Sequence, residues 1–168
     1  MGILTFLRMI EVDAIGRLGS SKGRLRLEDK MRIRHYAPAD RDHVVALWGA
    51  VFPDSVGHNE PNASIDRKVA ADDGLFFVAV DGDSIIGTVL AGYDGHRGWL
   101  YSVAVAPDRR RDGIGSQLIR HAEQALAQRG CPKLNIQVRA DNAAVVAFYE
   151  SLGFQTEERI SMGKLIEE

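Results

Sequence analysis

Val103-Ala-Val-Ala-Pro-Asp-Arg-Arg-Arg-Asp-Gly-Ile-Gly-Ser-Gln-Leu118 is the stretch on which the reading of this chain turns. An apolar run of strand character ends at Pro107, a basic loop follows, and Gly113 opens a helical pattern at once. That order points the unpaired amide hydrogens of a helix start, and the positive end of its dipole, at one spot. Glycines let a bulky anion approach the backbone, and Arg109, Arg110 and Arg111 add positive charge, so the expected ligand is a phosphate or pyrophosphate. Two other glycine patterns are excluded. The phosphate loop of nucleotide hydrolases needs a Gly-Lys-Ser/Thr that does not occur here, and the dinucleotide fingerprint needs a third glycine where Leu118 stands. What remains is Arg110-x-x-Gly113-x-Gly115.

Outward from this loop, strand and helix signals alternate. Met31–Tyr36 reads as a short strand, and Pro38 opens a helix whose apolar stripe is Val44, Val45, Leu47, Trp48 and Val51. A polar loop over 52–62 precedes a second short helix, Ala63–Ala71. Three consecutive strands follow, Leu75–Val80, Ile85–Ala91 and Trp99–Ala106, with turns at Asp81-Gly-Asp83 and across 93–98. Gly113–Arg129 is a helix stopped by Gly130 and Pro132, Leu134–Val138 a strand, and Asn142–Leu152 a second amphipathic helix closed by Gly153 and Phe154. Two short strands are expected to finish the chain. The order β-α-α-β-β-β-α-β-α-β-β predicts an α/β class with a mixed sheet.

Residues 1–30 read differently. They hold six basic and four acidic residues, punctuated by Gly16, Gly19, Ser20, Ser21 and Gly23 like a linker. They are expected to be a poorly structured upstream extension, with a short helix over Ile3–Ile10 left open, and residues 31–168 to be the domain. Met31 stands where that domain begins.

Apolar residues make up 45% of the chain and charged residues 26%, enough for a core without staples. The formal net charge of −2 points away from nucleic acid and from an anionic membrane. Cys131 is the only cysteine, so neither an intramolecular disulfide nor a cysteine-rich zinc site is available, and a reducing cytoplasm is the expected compartment. His35, His43, His58 and His121 show no ligand spacing, and no metal is implied.

The loop Arg110-x-x-Gly113-x-Gly115 resembles the acyl-CoA loop of the GNAT (GCN5-related N-acetyltransferase) superfamily. Asn142, Tyr149 seven residues on, and Leu152-Gly153-Phe154 resemble the second motif of that family on its next helix. Gly92–Gly98, Arg129–Lys133 and Met162–Glu167 are similar to its bacterial YpeA-type branch. The resemblance implies the acyl-CoA N-acyltransferase fold, acetyl-CoA as cosubstrate, and direct attack of an amine on the thioester. It implies that Val103, Ala104 and Val105 on the strand contact the cosubstrate. Arg110, Arg111, Asp112, Gly113, Ile114, Gly115 and Ser116 in the loop would do the same, as would Asn142 and Tyr149.

The chemistry then assigns roles. The amide of Val105 is the family-like donor to the developing oxyanion. Tyr149 is the expected general acid for the leaving thiolate. Its phenol, near ~10 in reference, gives a proton to a thiol near ~8.5, an uphill transfer worth tens-fold in rate. Glu60, Asp94 and His96 lie in loops flanking the acceptor side and are the candidate bases. Each also has a plain turn or cap reading, as Asn142 does at its helix start and Tyr149 on the apolar face. The acceptor, a small-molecule or peptide amine, should be selected by the first two helices, loop 52–62 and hairpin 92–98. Two other classes stay open: a CoA-binding module without turnover, and a nucleic-acid-binding domain using Arg109–Arg111. The oligomeric state is open too, a homodimer included.

Overall fold

Strand β1 (Met31–His35) is tied to the entry of the first helix by one carboxylate. Asp40 accepts from both terminal nitrogens of Arg34 at 2.6 and 2.8 Å and from the amide of Ala37 at 2.8 Å. Helix α1 (Arg41–Val51) starts there, through a 3-10 turn at Pro38–Asp40. This is a computed structural model that describes residues 31–166. The expected extension over 1–30, and the helix over Ile3–Ile10, lie outside those residues.

The remaining elements are α2 (Pro61–Ala70), β2 (Phe76–Asp81), β3 (Ser84–Tyr93), β4 (Gly98–Val105), α3 (Ile114–Ala127), β5 (Leu134–Ile136) and α4 (Ala143–Glu150). The five strands form one sheet in the order β1-β2-β3-β4-β5, antiparallel except for the parallel pair β4–β5. The α/β class with a mixed sheet is therefore observed, with boundaries within a few residues of the periodicity.

Helices cover both faces, which is why β2 and β3 read as unbroken apolar runs. Val44, Leu47, Trp48 and Ile65 of α1 and α2 pack on Phe76, Val78, Val80 and Leu90. Ile114, Leu118, Ile119, Ala122 and Leu126 of α3 pack on Leu75, Phe77, Ala79, Ile86 and Val89 of the other face. Each Val, Leu, Ile or Phe side chain among them, fully buried, contributes roughly 1.5–3 kcal/mol. Gly87 permits the close approach of α3: a Cβ there would meet Leu118 Cδ1 at 2.9 Å and the Ala104 carbonyl oxygen at 3.0 Å.

The two expected final strands do not form. Residues 155–166 are exposed and without regular structure, with Ile160, Met162 and Ile166 more than 90% accessible. A strand needs a backbone partner, and β5 ends at Ile136. The tail meets that edge through side chains alone: Lys133 with Glu157, and Gln137 with Ser161 at 2.5 Å.

Candidate active site

The split between β4 and β5 creates the site. These strands pair only at Gly98↔Leu134, Trp99↔Asn135 and Leu100↔Ile136, so Tyr101–Val105 has no neighbour on that side. The amide of Ala106 donates to the Ile86 carbonyl at 2.9 Å, and Thr88 sits opposite Ala104. By the two-residue alternation of a strand, Val103 and Val105 then turn their N–H and C=O groups to the open edge.

A bulge produces the divergence. Thr88 pairs with Ala104, but Leu90 pairs with Tyr101, so β4 carries an extra residue opposite Val89. Ser102 takes the strain at φ +47, a left-handed conformation that costs a non-glycine residue about 1–2 kcal/mol. Its carbonyl accepts from the Thr88 hydroxyl at 2.9 Å, and that hydroxyl accepts from the Trp48 indole at 2.8 Å. The signal available for this in the sequence was Thr88 itself, a lone hydroxyl in the run Ile85-Ile-Gly-Thr-Val-Leu-Ala91.

Beyond β4 lies the basic loop. Arg111 at φ +69 and Gly113 at φ +78 turn the backbone into α3. No side chain caps that helix, whereas Glu60 caps α2 and Asn142 caps α4. The first intrahelical bond is Gln117 N–H to the Gly113 carbonyl, so the amides of Ile114, Gly115 and Ser116 precede the ladder and have no helical acceptor. The three arginines separate by role. Arg109 is engaged with Asp81 and Asp112, while Arg110 and Arg111 are exposed and unpaired among the described residues.

Three elements converge at Gly115. A Cβ placed there would meet Phe148 Cζ of α4 at 3.2 Å and Val105 Cγ2 of β4 at 3.7 Å. The absence of a side chain at this position lets α4 close over the start of α3. On α4, Tyr149 is 5% exposed and its ring lies edge-on to Phe148 and Phe154, at 5.2 and 5.3 Å between centroids. Gly153 at φ +93 makes the return that brings Phe154 back. Burial pushes the Tyr149 phenol well above its ordinary value. Asn142 spends its side-chain oxygen on the Val145 amide at 3.2 Å.

The candidate bases do not gather. Glu60 caps α2, accepting from the amides of Ala63 at 2.8 Å and Asn62 at 3.0 Å, and these bonds hold its carboxyl below the usual range. Asp94 closes the β3–β4 turn with bonds from Arg97 at 2.6 Å and His96 at 2.7 Å, which lower its carboxyl likewise. Asp94 and His96 belong to the end of β4 that starts at Gly98, about 20 Å of strand from Val105. Nearer the site is a cavity of about 180 Å³ lined by Trp48, Phe52, Ser55, Asn59, Pro61, Ser64 and Ser102. No charged side chain lines it. Among the described residues no cluster of His, Cys, Asp or Glu could hold a metal ion, and no helix is long and apolar enough to cross a membrane.

The family model described as Acetyltransferase (GNAT) family matches residues 41–154, which span all of these features. The chain belongs to the GNAT acetyltransferase family. Among its GNAT relatives, an acetyltransferase of Yersinia enterocolitica is 43% identical over 137 residues, 80% of this chain and 94% of that protein. One from Pectobacterium atrosepticum is 43% identical over 142 residues, covering 82% and 98%. The GNAT fold is shared with the ribosomal-protein-S18-alanine N-acetyltransferase of Escherichia coli, at TM-score 0.62 and 26% identity, covering 74% of this chain and 77% of that one. An aminoglycoside N-acetyltransferase solved with CoA superposes at TM-score 0.67 and 21% identity, covering 80% and 94%, a likeness of fold alone. As a GNAT member the chain is an N-acetyltransferase.

Proposed function

We propose that the chain moves the acetyl group of acetyl-CoA directly onto a primary amine carried by an uncharged scaffold, of which a free peptide N-terminus is the leading class. The convergence at Gly115 of the open β4 edge, the uncapped start of α3 and Phe148 of α4 carries this reading. In it, the amides of Ile114, Gly115 and Ser116 receive the diphosphate, with Arg110 and Arg111 adding charge. Asp112 is held back by Arg109, which keeps a carboxylate from competing with that anion. The backbone of Val103 and Val105 pairs with the pantetheine amides as an added strand, and Ala104 between them turns its side chain into the core.

The chemistry follows from placement. The amine nitrogen attacks the thioester carbonyl, and the Val105 amide donates to the oxygen as it gains charge. When the C–S bond breaks, Tyr149 gives the thiolate its phenolic proton, the nitrogen sheds its surplus proton to water as the amide forms, and the phenolate takes a proton back from solvent. Burial disfavours the phenolate, but the same low-dielectric surroundings disfavour the thiolate, so the transfer stays within reach. The ammonium must first lose a proton to expose its lone pair. The wall of the cavity carries no free carboxylate or imidazole, so the proton passes to water.

The cavity sets the acceptor. Glu60 is committed to its cap and Asp66 to Arg41 at 2.5 Å, so neither acidic residue waits for a cation. Two aromatic rings with hydroxyl and amide groups suit a small neutral residue beside the amine. The likeness to an enzyme named for a ribosomal-protein alanine supports a peptide acceptor. Use of acetyl-CoA makes the cytoplasm the proposed compartment. Thiol release from acetyl-CoA, measured with peptides, amino acids and aminoglycosides, tests the reading. Peptides with a free small N-terminal residue should turn over fastest. Faster turnover of polycationic aminoglycosides would overturn the assignment of the cavity.

A further inference from the structure

We propose that Thr88 is a positioning residue for the cosubstrate: its hydroxyl, clamped between the Trp48 indole and the Ser102 carbonyl, holds the bulge that aims Val103 and Val105 outward. The inference rests on the proposed role of the β4 edge in binding pantetheine.

The bond directions are forced. An indole nitrogen only donates and a carbonyl oxygen only accepts, so the hydroxyl between them must accept from Trp48 and donate to Ser102. The two bonds, at 2.8 and 2.9 Å, use the hydroxyl proton and one lone pair. Thr88 is fully buried and Trp48 is 3% exposed, so water does not replace either bond when it is lost. The carbonyl so held belongs to the one residue of β4 with a left-handed backbone, at the position where the β3–β4 register slips. A hydrogen bond at that carbonyl offsets strain that serine tolerates poorly. Val103 follows directly and Val105 two residues later, the residues whose amides face the open edge. Trp48 and Ser102 also line the cavity proposed for the acceptor, so one chain of bonds joins the acceptor wall to the cosubstrate strand.

A ligand pair isolates this role. Coenzyme A uses both the α3 start and the β4 edge, whereas 3′-phospho-ADP carries the diphosphate and lacks the pantetheine arm. Thr88→Val keeps the shape and removes both hydrogen bonds, and Thr88→Ser keeps the hydroxyl. Calorimetry should show Thr88→Val losing about tenfold in CoA affinity, with 3′-phospho-ADP bound within about twofold of wild type. Thr88→Ser should restore CoA binding. Should Thr88→Val not fold, Trp48→Phe removes the indole donor, with some loss of core volume, and leaves the Thr88–Ser102 bond, so it should give the same ligand split at smaller size. Equal loss for both ligands, unchanged CoA affinity in a folded Thr88→Val, or a serine variant as weak as the valine one overturns the proposal. If the wild type binds neither ligand at millimolar concentration, the proposed cosubstrate site itself fails, and this inference with it.

Discussion

Arg109 reaches back from the basic loop to the β2–β3 turn, its guanidinium donating to Asp81 at 2.8 Å and to Asp112 at 3.3 Å. The first residue of the basic run is thus not free charge, and of that run only its two successors are exposed and unpaired among the described residues. Arg110→Ala should weaken CoA binding about tenfold, the loss of one charge-assisted bond, with the melting temperature unchanged. Arg109→Ala should instead cost stability, about 1 kcal/mol for a half-shielded pair, and affect CoA less. Calorimetry and thermal unfolding of both variants separate the roles. The reverse ranking of CoA affinities would show that the anion is gripped elsewhere in the loop.

Tyr149 sits with its ring edge-on to Phe148 and Phe154. Replacing it by Phe removes one oxygen and keeps the packing, so stability and CoA affinity should hold. Turnover should fall by tens-fold, since protonation of the thiolate then depends on water. A Tyr149→Phe enzyme with the wild-type rate would make this tyrosine a core aromatic and nothing more.

Much of this arrangement was legible in the residues, for identifiable reasons. Leu75–Val80 and Ile85–Ala91 declare two strands because both faces of β2 and β3 are covered, and the two mainly apolar runs on either side of the Asp81–Asp83 turn record it. Gly113 and Gly153 were legible because each takes a left-handed conformation that glycine suits. The bulge was not, because Ser102 adopts its positive φ under tertiary restraint from Thr88, and serine carries no mark of that conformation. The roles of Glu60 and Asp94 were ambiguous for a different reason. A carboxylate that caps a helix or closes a turn has the same side chain as one that takes a proton, and only the amides around it tell them apart. The tail around Ile160 and Met162 looks strand-like in composition, yet a strand is decided by its neighbour.

Stability should respond to acid in two windows. The His121 ring packs edge-on against Phe77 at 4.6 Å, and burial, with a smaller contribution from His35, holds its pKa below 6.5. The unfolded chain therefore takes up that proton first, and stability falls as pH drops below 6.5. Asp40 acts in the same sense at lower pH: Arg34 holds its pKa below 3.8, so its contribution is intact above 3.8 and is lost only in stronger acid. Urea unfolding between pH 7 and 5 should show the first loss in wild type and a flatter profile in His121→Gln. An equally steep profile in that variant would shift the cause to another group.

The route of the amine proton has its own signature in the rate. If water takes it, the pH dependence of kcat/KM belongs to the acceptor and not to the enzyme, because that ratio reports free reactants. It should rise tenfold per pH unit and level off at the acceptor's own pKa, near ~8 for a peptide α-amine and near ~10.4 for a lysine side chain. No falling limb from the phenol should intrude below pH 10, since burial keeps Tyr149 protonated beyond its ordinary value. Comparing a free-N-terminus peptide with an N-acetylated lysine peptide moves one pKa and leaves the protein unchanged. An inflection fixed at the same pH for both acceptors would place the base on the enzyme, and Glu60, the one candidate beside the cavity, would be the first to replace.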